Sequence, residues 1–303
     1  FVLSAKLLIG LIIWTGCDPY TQDQYTEQVV VEAYLTSNHS LTPIRLSTTG
    51  EATEIYSFEQ FALRGAQVMI WVLKPNSNEK DYRITYEESS PGIYQPTELQ
   101  KVQSGTTYQL EVFHPDYPDV EAFTTVPASF KIINPIPDTL YYQSEDQLTL
   151  ELGAQEAENG QNYYIINTIA ALPLEELLTP FYREFITDED EEETQQSLSE
   201  LRINSSGILS EGNFNRNQNG NVEIRYPWLA VAFFGVNDIV PSLIDQNLYD
   251  YIRSESVQLG GSTLSPGEIQ NVLTPIIGGV GIFGSMSRDT ARTLILPLEF
   301  EVP

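Results

Sequence analysis

Cysteine is the residue of this sequence with the clearest chemistry, because it occurs only once, at Cys17. It directly follows Thr15 and Gly16, and these small residues end an apolar run over residues 7–14. A lipoprotein signal peptidase needs small residues before a cysteine whose sulfur already carries a diacylglycerol. A lone cysteine cannot form an internal disulfide. The spacing therefore predicts a lipid attached to the sulfur of Cys17.

The residues before Cys17 have the composition of an export signal. Lys6 is the only charge among residues 1–16, and the apolar run is shorter than the roughly 20 residues of a membrane span. We expect residues 1–16 to be a cleaved signal peptide and residues 17–27 to be a polar tether. Trp14 stands where lipoprotein signals usually have an aliphatic residue. The alternatives are an ordinary signal peptide with an incidental cysteine and a buried N-terminal element.

A glycine motif near the end of the sequence has the formal spacing of a dinucleotide-binding loop. Its glycines are Gly279, Gly281 and Gly284, and Gly278 precedes them. A dinucleotide site needs this motif between a strand and a helix, with an acidic residue about 20 positions further on. Only 19 residues follow Gly284. We therefore expect a structural glycine turn that permits a bend and close packing beside the last strand.

Side chains for nucleophilic hydrolysis are scarce. The two histidines, His39 and His114, lie in turn-forming segments, and residues 260–262 (Gly-Gly-Ser) lack the second glycine of a nucleophile elbow because Leu264 takes its place. A carboxylate pair for glycoside hydrolysis stays open, since nothing in the spacing of the 42 acidic residues selects one pair. We expect a protein that is not an enzyme and has no catalytic residue.

Oxygen ligands for a cation occur in two segments. Residues 188–193 are six consecutive acids, and residues 213–221 are rich in asparagine. Neither segment has the alternating acids and terminal glutamate of an EF-hand loop. Like charges in a row usually indicate a solvated, mobile loop. We expect no metal and no cofactor, with calcium at the acidic run as the alternative.

Tyrosine is abundant, with 17 residues and adjacent pairs at Tyr141-Tyr142 and Tyr163-Tyr164. Exposed aromatic rings can stack on sugars or anchor a protein partner. In sheets they more often fill cores and edges, and we favour that packing role here.

The charge balance excludes one class of partner. The sequence has 15 basic and 42 acidic residues and a net charge of −27, which becomes −28 once residues 1–16 and their single lysine are removed. Such a surface repels the phosphate backbone of nucleic acids and anionic lipid headgroups. We therefore exclude a role in nucleic-acid binding, while cationic partners stay open.

The elements that position these residues are predicted to be mostly strands. From residue 28 the apolar residues alternate, so that Val29, Val31, Ala33 and Leu35 share one face of a strand. Short alternating segments separated by turn residues continue to residue 127. This pattern indicates an antiparallel β-sandwich of the immunoglobulin or transthyretin type over residues 28–127.

Residues 128–303 are predicted to form a second β-rich domain with about two helices. The strands are expected at residues 148–152, 163–169, 222–226, 229–236 and 294–301. One helix is expected at residues 174–186. The other is expected at residues 242–257, because apolar residues there, such as Ile244, Leu248 and Ile252, repeat at helical spacing.

Five segments together resemble a known family. They are residues 29–36 (VVVEAYLT), 65–70 (GAQVMI), 91–94 (PGIY), 105–110 (GTTYQL) and 278–284 (GGVGIFG). In this order after a lipoprotein signal, they are similar to a large Bacteroidota family of outer-membrane lipoproteins of uncharacterised function. Members of that family are often encoded beside TonB-dependent receptors. The resemblance implies an outer-membrane location and an accessory role, and it carries over no catalytic residue.

The segment from Gly65 to Val112 also resembles transthyretin-like or carboxypeptidase-regulatory-like sandwich modules, which are generally structural or binding domains. We therefore expect a lipid-anchored outer-membrane protein, exposed at the cell surface, that binds or supports a TonB-dependent barrel. The alternatives are a structural or adhesion protein of the cell envelope and a glycan- or peptide-directed hydrolase. A deep cleft with two carboxylates would favour the hydrolase, a broad apolar patch a protein partner, and a tyrosine-lined groove glycan capture.

Overall fold

The computed structural model describes residues 25–51, 53–145, 147–156, 160–186, 191–259 and 272–298. Strands dominate these residues, which confirms the prediction of a mostly β chain. Strands β1 to β18 are, in order, Val29–Thr36, Ile44–Thr48, Gln67–Leu73, Lys80–Ser90, Ile93–Pro96, Thr107–Phe113, Val120–Thr125, Thr139–Tyr141, Thr149–Leu152, Tyr163–Ala170, Ile203–Ser205, Leu209–Ser210, Asn215–Arg216, Val222–Arg225, Gly235–Ile244, Ile276–Ile277, Val280–Arg288 and Ala291–Leu296. Helices α1 to α4 are Phe58–Phe61, Pro180–Ile186, Glu191–Leu201 and Gln246–Leu259.

The first seven strands form the β-sandwich that the alternating pattern predicts. Their order in the sheet is β1-β2-β5-β4-β3-β6-β7, with every neighbouring pair antiparallel. In β1, Val29, Val31, Ala33 and Leu35 are at most 1% exposed, whereas Glu32 stays partly exposed. Successive side chains of a strand point to opposite faces, so one face supplies the core. Each fully buried aliphatic side chain contributes about 1.5–3 kcal/mol.

Strands β17 and β18 form one extended segment that runs through both parts of the chain. β17 pairs in parallel with β1, and Val280 lies opposite Val30. β17 and β18 also pair with β15 in a single unbroken antiparallel register, which ends with Ile295 opposite Gly235. The first half of this segment therefore belongs to the sandwich and the second half to the C-terminal sheet.

A hairpin from the C-terminal part closes the sandwich. β16 pairs with β7, the last strand of the sandwich, and β17 follows after a turn and pairs with β1, the first strand. Ile276 and Phe283 from this hairpin lie in the same apolar core as the side chains of β1 to β7. The sheet thus continues across residue 127, and the predicted division into domains 28–127 and 128–303 stays a prediction.

Glycines allow this hairpin to approach its neighbours closely. Gly278 has a φ of +78°, and a Cβ there would lie 2.1 Å from the carbonyl oxygen of Asp119. Gly281 has a φ of +107°, and its Cβ would lie 2.1 Å from a carbonyl oxygen of β1. A side chain fits neither position. The predicted glycine turn is a turn at Gly278 and Gly279, whereas Gly281 and Gly284 lie inside β17.

The C-terminal part has a second core between two sheets. β10 pairs with β15 along its whole length, and β8, β11, β12 and β18 extend this end of the large sheet. A separate three-stranded sheet has the order β13-β14-β9. Leu150 and Ile224 from the small sheet share an apolar cluster with Tyr164 and Ile239 from the large one. The two sheets therefore enclose this core as layers.

The helices begin later in the chain than the sequence predicts. The helix predicted at residues 174–186 starts only at Pro180, because Glu175–Leu177 forms a 3₁₀ turn. The helix predicted at residues 242–257 is α4 and starts at Gln246, because residues 242–244 still belong to β15.

Two further predictions are wrong in part. The acidic run predicted as a mobile loop is helical from residue 191, where α3 begins, and residues 188–190 lie outside the described residues. The strand predicted at residues 229–236 is mostly absent, because Trp228–Ala230 forms a 3₁₀ turn and β15 begins only at Gly235.

Candidate functional site

The residues with predicted chemistry are not gathered at one place. Cys17, the predicted lipidation site, and residues 260–262 lie outside the described residues. In the part that the structure describes, no helix is long and apolar enough to cross a membrane. In the same ranges, no group of three or more His, Cys, Asp and Glu side chains is placed to hold a metal ion.

Both histidines hold loops together. The Nδ1–H of His39 donates to the carbonyl oxygen of Ser37 at 2.8 Å. The Nε2–H of His114 donates to the carbonyl oxygen of Arg64 at 3.1 Å, and its Nδ1 accepts from the backbone N–H of Asp116. These contacts occupy both ring nitrogens of His114 and make its imidazole a structural group.

The asparagine-rich segment is a hairpin held by one carboxylate. The side-chain amides of Asn217 and Asn221 donate to Oε1 of Glu151 at 2.6 and 2.7 Å. The side-chain oxygen of Asn217 accepts from the backbone N–H groups of Asn219 and Asn221. These bonds fix the turn between β13 and β14, so the oxygen atoms serve the hairpin.

A polar groove follows the junction between the sandwich and the C-terminal part. It consists of two clefts of about 300 and about 350 Å³, and Gln161 and Tyr163 line both. The first cleft lies between residues 125–128 of the sandwich and residues 243–246, and the second reaches Tyr249 and Arg253 of α4. We call these two clefts the seam groove. Junctions of this kind are common ligand sites, and each volume is within the range of such sites.

Asp245 connects α4 to two strands beside the seam groove. This residue is 7% exposed, and its Oδ1 accepts from the backbone N–H of Leu248 at 2.9 Å, which is the N-cap bond of α4. Its Oδ2 accepts from the hydroxyls of Thr124 in β7 and Ser285 in β17. Burial raises the pKa of Asp245 to about 6, and these hydrogen bonds oppose the rise. Both carboxylate oxygens are thus engaged in structural contacts.

Two tyrosines stack in the second cleft of the groove. The ring centroids of Tyr163 in β10 and Tyr249 in α4 are 3.8 Å apart, and the ring planes differ by 20°. Nη1 of Arg253 donates to the hydroxyl of Tyr249 at 2.6 Å. A hydrogen bond with Tyr249 raises the pKa of Tyr163. The pair therefore attaches α4 to the sheet and also lines the groove.

The two members of each adjacent tyrosine pair differ in burial. Tyr164 and Tyr142 lie in the core, at 0% and 4% exposure. Tyr163 lines the seam groove, and Tyr141 is 49% exposed. One tyrosine of each pair thus fills the core, and the other is available at the surface.

A second candidate site is an apolar surface on the C-terminal part, which we call the apolar end. It consists of five side chains that are between 39% and 61% exposed, namely Leu172, Leu174, Ile203, Leu229 and Val236. The N–H of Ala171 donates to the carbonyl oxygen of Val236, which places the segment of Leu172 and Leu174 beside Val236. The side-chain amide of Asn204 donates to the carbonyl oxygen of Leu229. Groups of exposed apolar side chains are typical of contacts with other proteins.

An apolar cleft of about 470 Å³ adjoins the apolar end at Leu229. Ile166, Phe214 and Ile224 line it, together with the ring of Tyr182. The hydroxyl of Tyr182 donates to the carbonyl oxygen of Leu229 at 2.8 Å, which fixes the rim. A partner side chain at the apolar end would therefore have a cavity to enter.

Sequence reasoning missed Asp245 and the apolar end for different reasons. An aspartate directly before a helical pattern is a recognised N-cap signal, but the helix predicted from residue 242 placed Asp245 inside the helix. The residues of the apolar end come from segments far apart in the chain, so no local spacing identifies them.

Comparison with solved structures finds remote likenesses. A tetra-tandem repeat from the extending region of a large adhesion protein is 10% identical, over 89% of this chain and 49% of that chain, with a TM-score of 0.24. The three N-terminal domains of the highly immunogenic outer capsid protein of bacteriophage RB49 are 8% identical, over 90% of this chain and 71% of that chain, with a TM-score of 0.24. Salmonella alpha-2-macroglobulin reacted with methylamine is 9% identical, over 89% of this chain and 15% of that chain, with a TM-score of 0.24. This chain thus spans about half the length of the adhesion-protein structure, and TM-scores this low support no argument about function.

Comparison of the sequence with known families gives a more specific result than the structural comparison. No curated protein matches this sequence. A family model described as "Domain of unknown function (DUF4249)" matches residues 17–292, which is most of the chain. The protein therefore belongs to the DUF4249 family.

Proposed function

We propose that the protein is a lipid-anchored, non-enzymatic accessory protein at the surface of a Bacteroidota outer membrane. In this proposal its apolar end binds a TonB-dependent transporter. The observation that carries the proposal is the apolar end itself, with five exposed aliphatic side chains, of which Leu229 borders an open apolar cleft. Groups of exposed apolar side chains often mark a surface that a partner covers.

The position of the apolar end supports a role in contacting a membrane partner. The described chain enters the sheet at Val29, and Val30 pairs with Val280. Val236 of the apolar end pairs with Leu294, near the other end of the same extended segment. At about 3.3 Å per residue, these two points are about 45 Å apart along the strand. An anchor before Val29 would thus leave the apolar end free to meet a neighbouring protein.

The sequence supports the anchor. Thr15 and Gly16 precede the single cysteine, Cys17, after an apolar run, and the family match also begins at residue 17. Acyl chains contribute about 0.8 kcal/mol per buried CH₂ group, so several chains hold a protein stably on a bilayer. Confinement to the membrane raises the effective concentration at a membrane partner, which strengthens a modest interface.

The geometry of the seam groove supports a non-enzymatic role. A glycosidase needs two carboxylates that flank the scissile bond. Asp245 is the most buried acid of the groove, and Leu248, Thr124 and Ser285 occupy both of its oxygens. A carboxylate held in this way caps a helix and is not presented to a substrate.

The test is a pull-down of the tagged protein from native outer membrane in mild detergent, followed by mass spectrometry. We expect a stoichiometric TonB-dependent barrel in the eluate. A double variant, Leu172→Glu with Leu229→Glu, should recover at least about tenfold less of the barrel, because it places charges in the apolar contact. Leu99→Glu is the matched control, since Leu99 is 99% exposed but lies outside the apolar end. This control should recover as much barrel as the unchanged protein.

Two outcomes would contradict the proposal. One is recovery of the unchanged protein alone under conditions that keep other barrel complexes intact. The other is equal recovery of the barrel by the double variant, which would place the contact elsewhere. A Cys17→Ser variant tests the anchor separately, and we expect it to leave the membrane fraction.

A further inference from the structure

The seam groove has features of a ligand site that the proposed contact with a transporter does not use. It lies where the turns of the sandwich meet β10 and the start of α4, and it includes no residue of the apolar end. Its lining is mixed, with polar side chains along the first cleft and a stacked tyrosine pair in the second. This lining determines which kind of ligand the groove would recognise.

The amide side chains of the first cleft leave hydrogen-bond acceptors. The side-chain nitrogen of Gln161 donates to Ser210, that of Asn162 to the carbonyl of Gln155, and that of Gln246 to Asp250. Within the residues that the structure describes, no hydrogen bond occupies the side-chain oxygens of Gln161, Asn162 and Gln246. Three unused acceptors therefore belong to side chains that line this cleft.

The second cleft adds donors. Arg253 uses one N–H of its guanidinium for the hydroxyl of Tyr249, and the guanidinium has five N–H donors in all. Asn213 also lines this cleft and has an amide group. The groove thus presents acceptors at one end and donors at the other, which suits a ligand that both donates and accepts.

The groove contains charged groups of both signs. Glu156 and Asp245 line the first cleft, and both oxygens of Asp245 already accept hydrogen bonds from the protein. Asp250 binds Gln246 at the edge of this cleft, and Arg253 lines the second cleft. A cationic ligand would meet the guanidinium, and an anionic ligand would meet the carboxylates of Glu156 and Asp250. The lining therefore favours a ligand without net charge.

The tyrosine pair supplies a flat apolar surface next to these polar groups. Tyr163 and Tyr249 stack on each other with one face each, and the guanidinium of Arg253 lies over the Tyr249 ring, 5.7 Å from its centroid. The remaining surface of the pair lines the second cleft. The C–H face of a sugar ring packs on an aromatic face while its hydroxyls donate and accept hydrogen bonds. We infer that the seam groove binds a neutral oligosaccharide, with a sugar ring on the Tyr163–Tyr249 pair and hydroxyls on Gln161, Asn162 and Gln246.

Titration calorimetry with the purified protein tests this inference. The probes are six neutral hexasaccharides, built from glucose (α- and β-linked), xylose, mannose, galactose and N-acetylglucosamine. We expect at least one of them to bind with a dissociation constant below about 1 mM. Tyr249→Ala should weaken that binding by about tenfold, and Gln161→Ala should weaken it by about fivefold.

Matched controls separate a sugar site from a fold defect. Tyr56→Ala removes one ring of another stacked pair, Tyr56 on Phe61, outside the groove, and it should leave binding unchanged. Because the ligand is uncharged, its affinity should also be the same in about 0.05 M and about 0.5 M NaCl.

Three results would overturn the inference. The first is that none of the six probes binds at up to about 10 mM. The second is sugar binding that Tyr249→Ala and Gln161→Ala leave unchanged, which would place the site elsewhere. The third is salt-sensitive binding of spermidine in the groove without any sugar binding, which would make the site cationic in its preference. None of these results depends on whether a barrel is recovered with the protein.

Discussion

Asp245 is an acidic residue in a buried site, where the charged form of its carboxyl group is disfavoured. It is 7% exposed, yet it caps α4 and accepts hydrogen bonds from Thr124 and Ser285. The ordinary pKa of this group is 3.8, and burial raises it to about 6 in the folded protein. The folded state therefore binds the proton of Asp245 more tightly than the unfolded state does.

The sign of the pH dependence follows from this rise. The stabilising contribution of Asp245 is fully present below pH 3.8 and is lost as the pH rises through about 6. We expect the unfolding free energy of the unchanged protein, relative to Asp245→Asn, to fall by on the order of 3 kcal/mol between pH 4 and pH 7. The asparagine keeps an oxygen for Leu248 and has no charge at any of these pH values.

Urea unfolding of both proteins at several pH values would measure this difference. The repulsion among the other acids acts on both proteins, so it cancels in the comparison. If the two stability curves ran parallel across this range, Asp245 would have no raised pKa in the folded state.

At the scale of elements, the sequence predicts strands best where one face is buried. In β1 the alternation of Val29, Val31, Ala33 and Leu35 identifies both the strand and its core face. In β17 the same reasoning fails. Its glycines indicate a turn, but the strand forms because the neighbouring backbone passes where a side chain of Gly281 would be. That constraint comes from a strand about 250 residues earlier in the chain, which no local pattern contains.

The helices show the same limit. Residues 188–193 indicate a loop when their charges alone are considered, yet α3 begins at residue 191. Thr194, Leu198 and Leu201 recur at helical spacing and are buried or partly buried against the C-terminal core. The helical spacing of these residues therefore decides the structure here, although the run of charges favours a loop. That spacing can be seen in the sequence.

The closing hairpin leads to a prediction about fragments. A fragment of residues 25–126 lacks β16 and β17, which leaves β1 and β7 with open edges and the core without Phe283. We expect this fragment to show no cooperative thermal transition by circular dichroism. Joining residue 126 to residue 273 through a loop of about four residues, and ending at residue 288, restores the antiparallel order of β7 and β16. This fusion should unfold cooperatively.

The same fusion with Phe283→Asp is the control, because the charge would enter the core that Phe283 fills. It should behave like the short fragment. A cooperative transition of the short fragment, at the same midpoint as the fusion, would show that the sandwich needs no strand from the C-terminal part.

At the scale of the whole molecule, composition and structure answer different questions. The net charge of −27 and the position of Cys17 can be taken from the sequence alone. The seam groove cannot, because Gln161, Gln246 and Arg253 meet only after β10 packs on α4. One signal did exist in the sequence. An adjacent pair such as Tyr163-Tyr164 in a strand places one ring outside, although the pair alone does not say what that ring meets.

The excess of negative charge should make the stability of the protein depend on salt. Forty-two acidic residues against fifteen basic ones repel each other in the compact state. Raising NaCl from about 0.01 to about 0.15 M shortens the screening length from about 30 to about 8 Å. We expect the thermal midpoint to rise by several degrees over this range at pH 8, as measured by differential scanning calorimetry.

The effect should shrink at pH 5, where protonation removes part of the charge. A midpoint that falls with NaCl at pH 8 would mean that the surface ion pairs, such as Arg292 with Asp238, outweigh the general repulsion. A midpoint that does not move would mean that the acids are too far apart to repel each other.

The parallel pairing of β1 with the first half of the β17–β18 segment also determines how the protein carries mechanical tension. If β1 is held at its start and the segment is held at its far end, the two strands are pulled in opposite directions along their length. The hydrogen bonds between them lie across that pull. They are loaded together, in shear, and do not open one after another as in an unzipped hairpin. A protein held at both ends in this way would therefore resist being extended by the drag of the surrounding fluid.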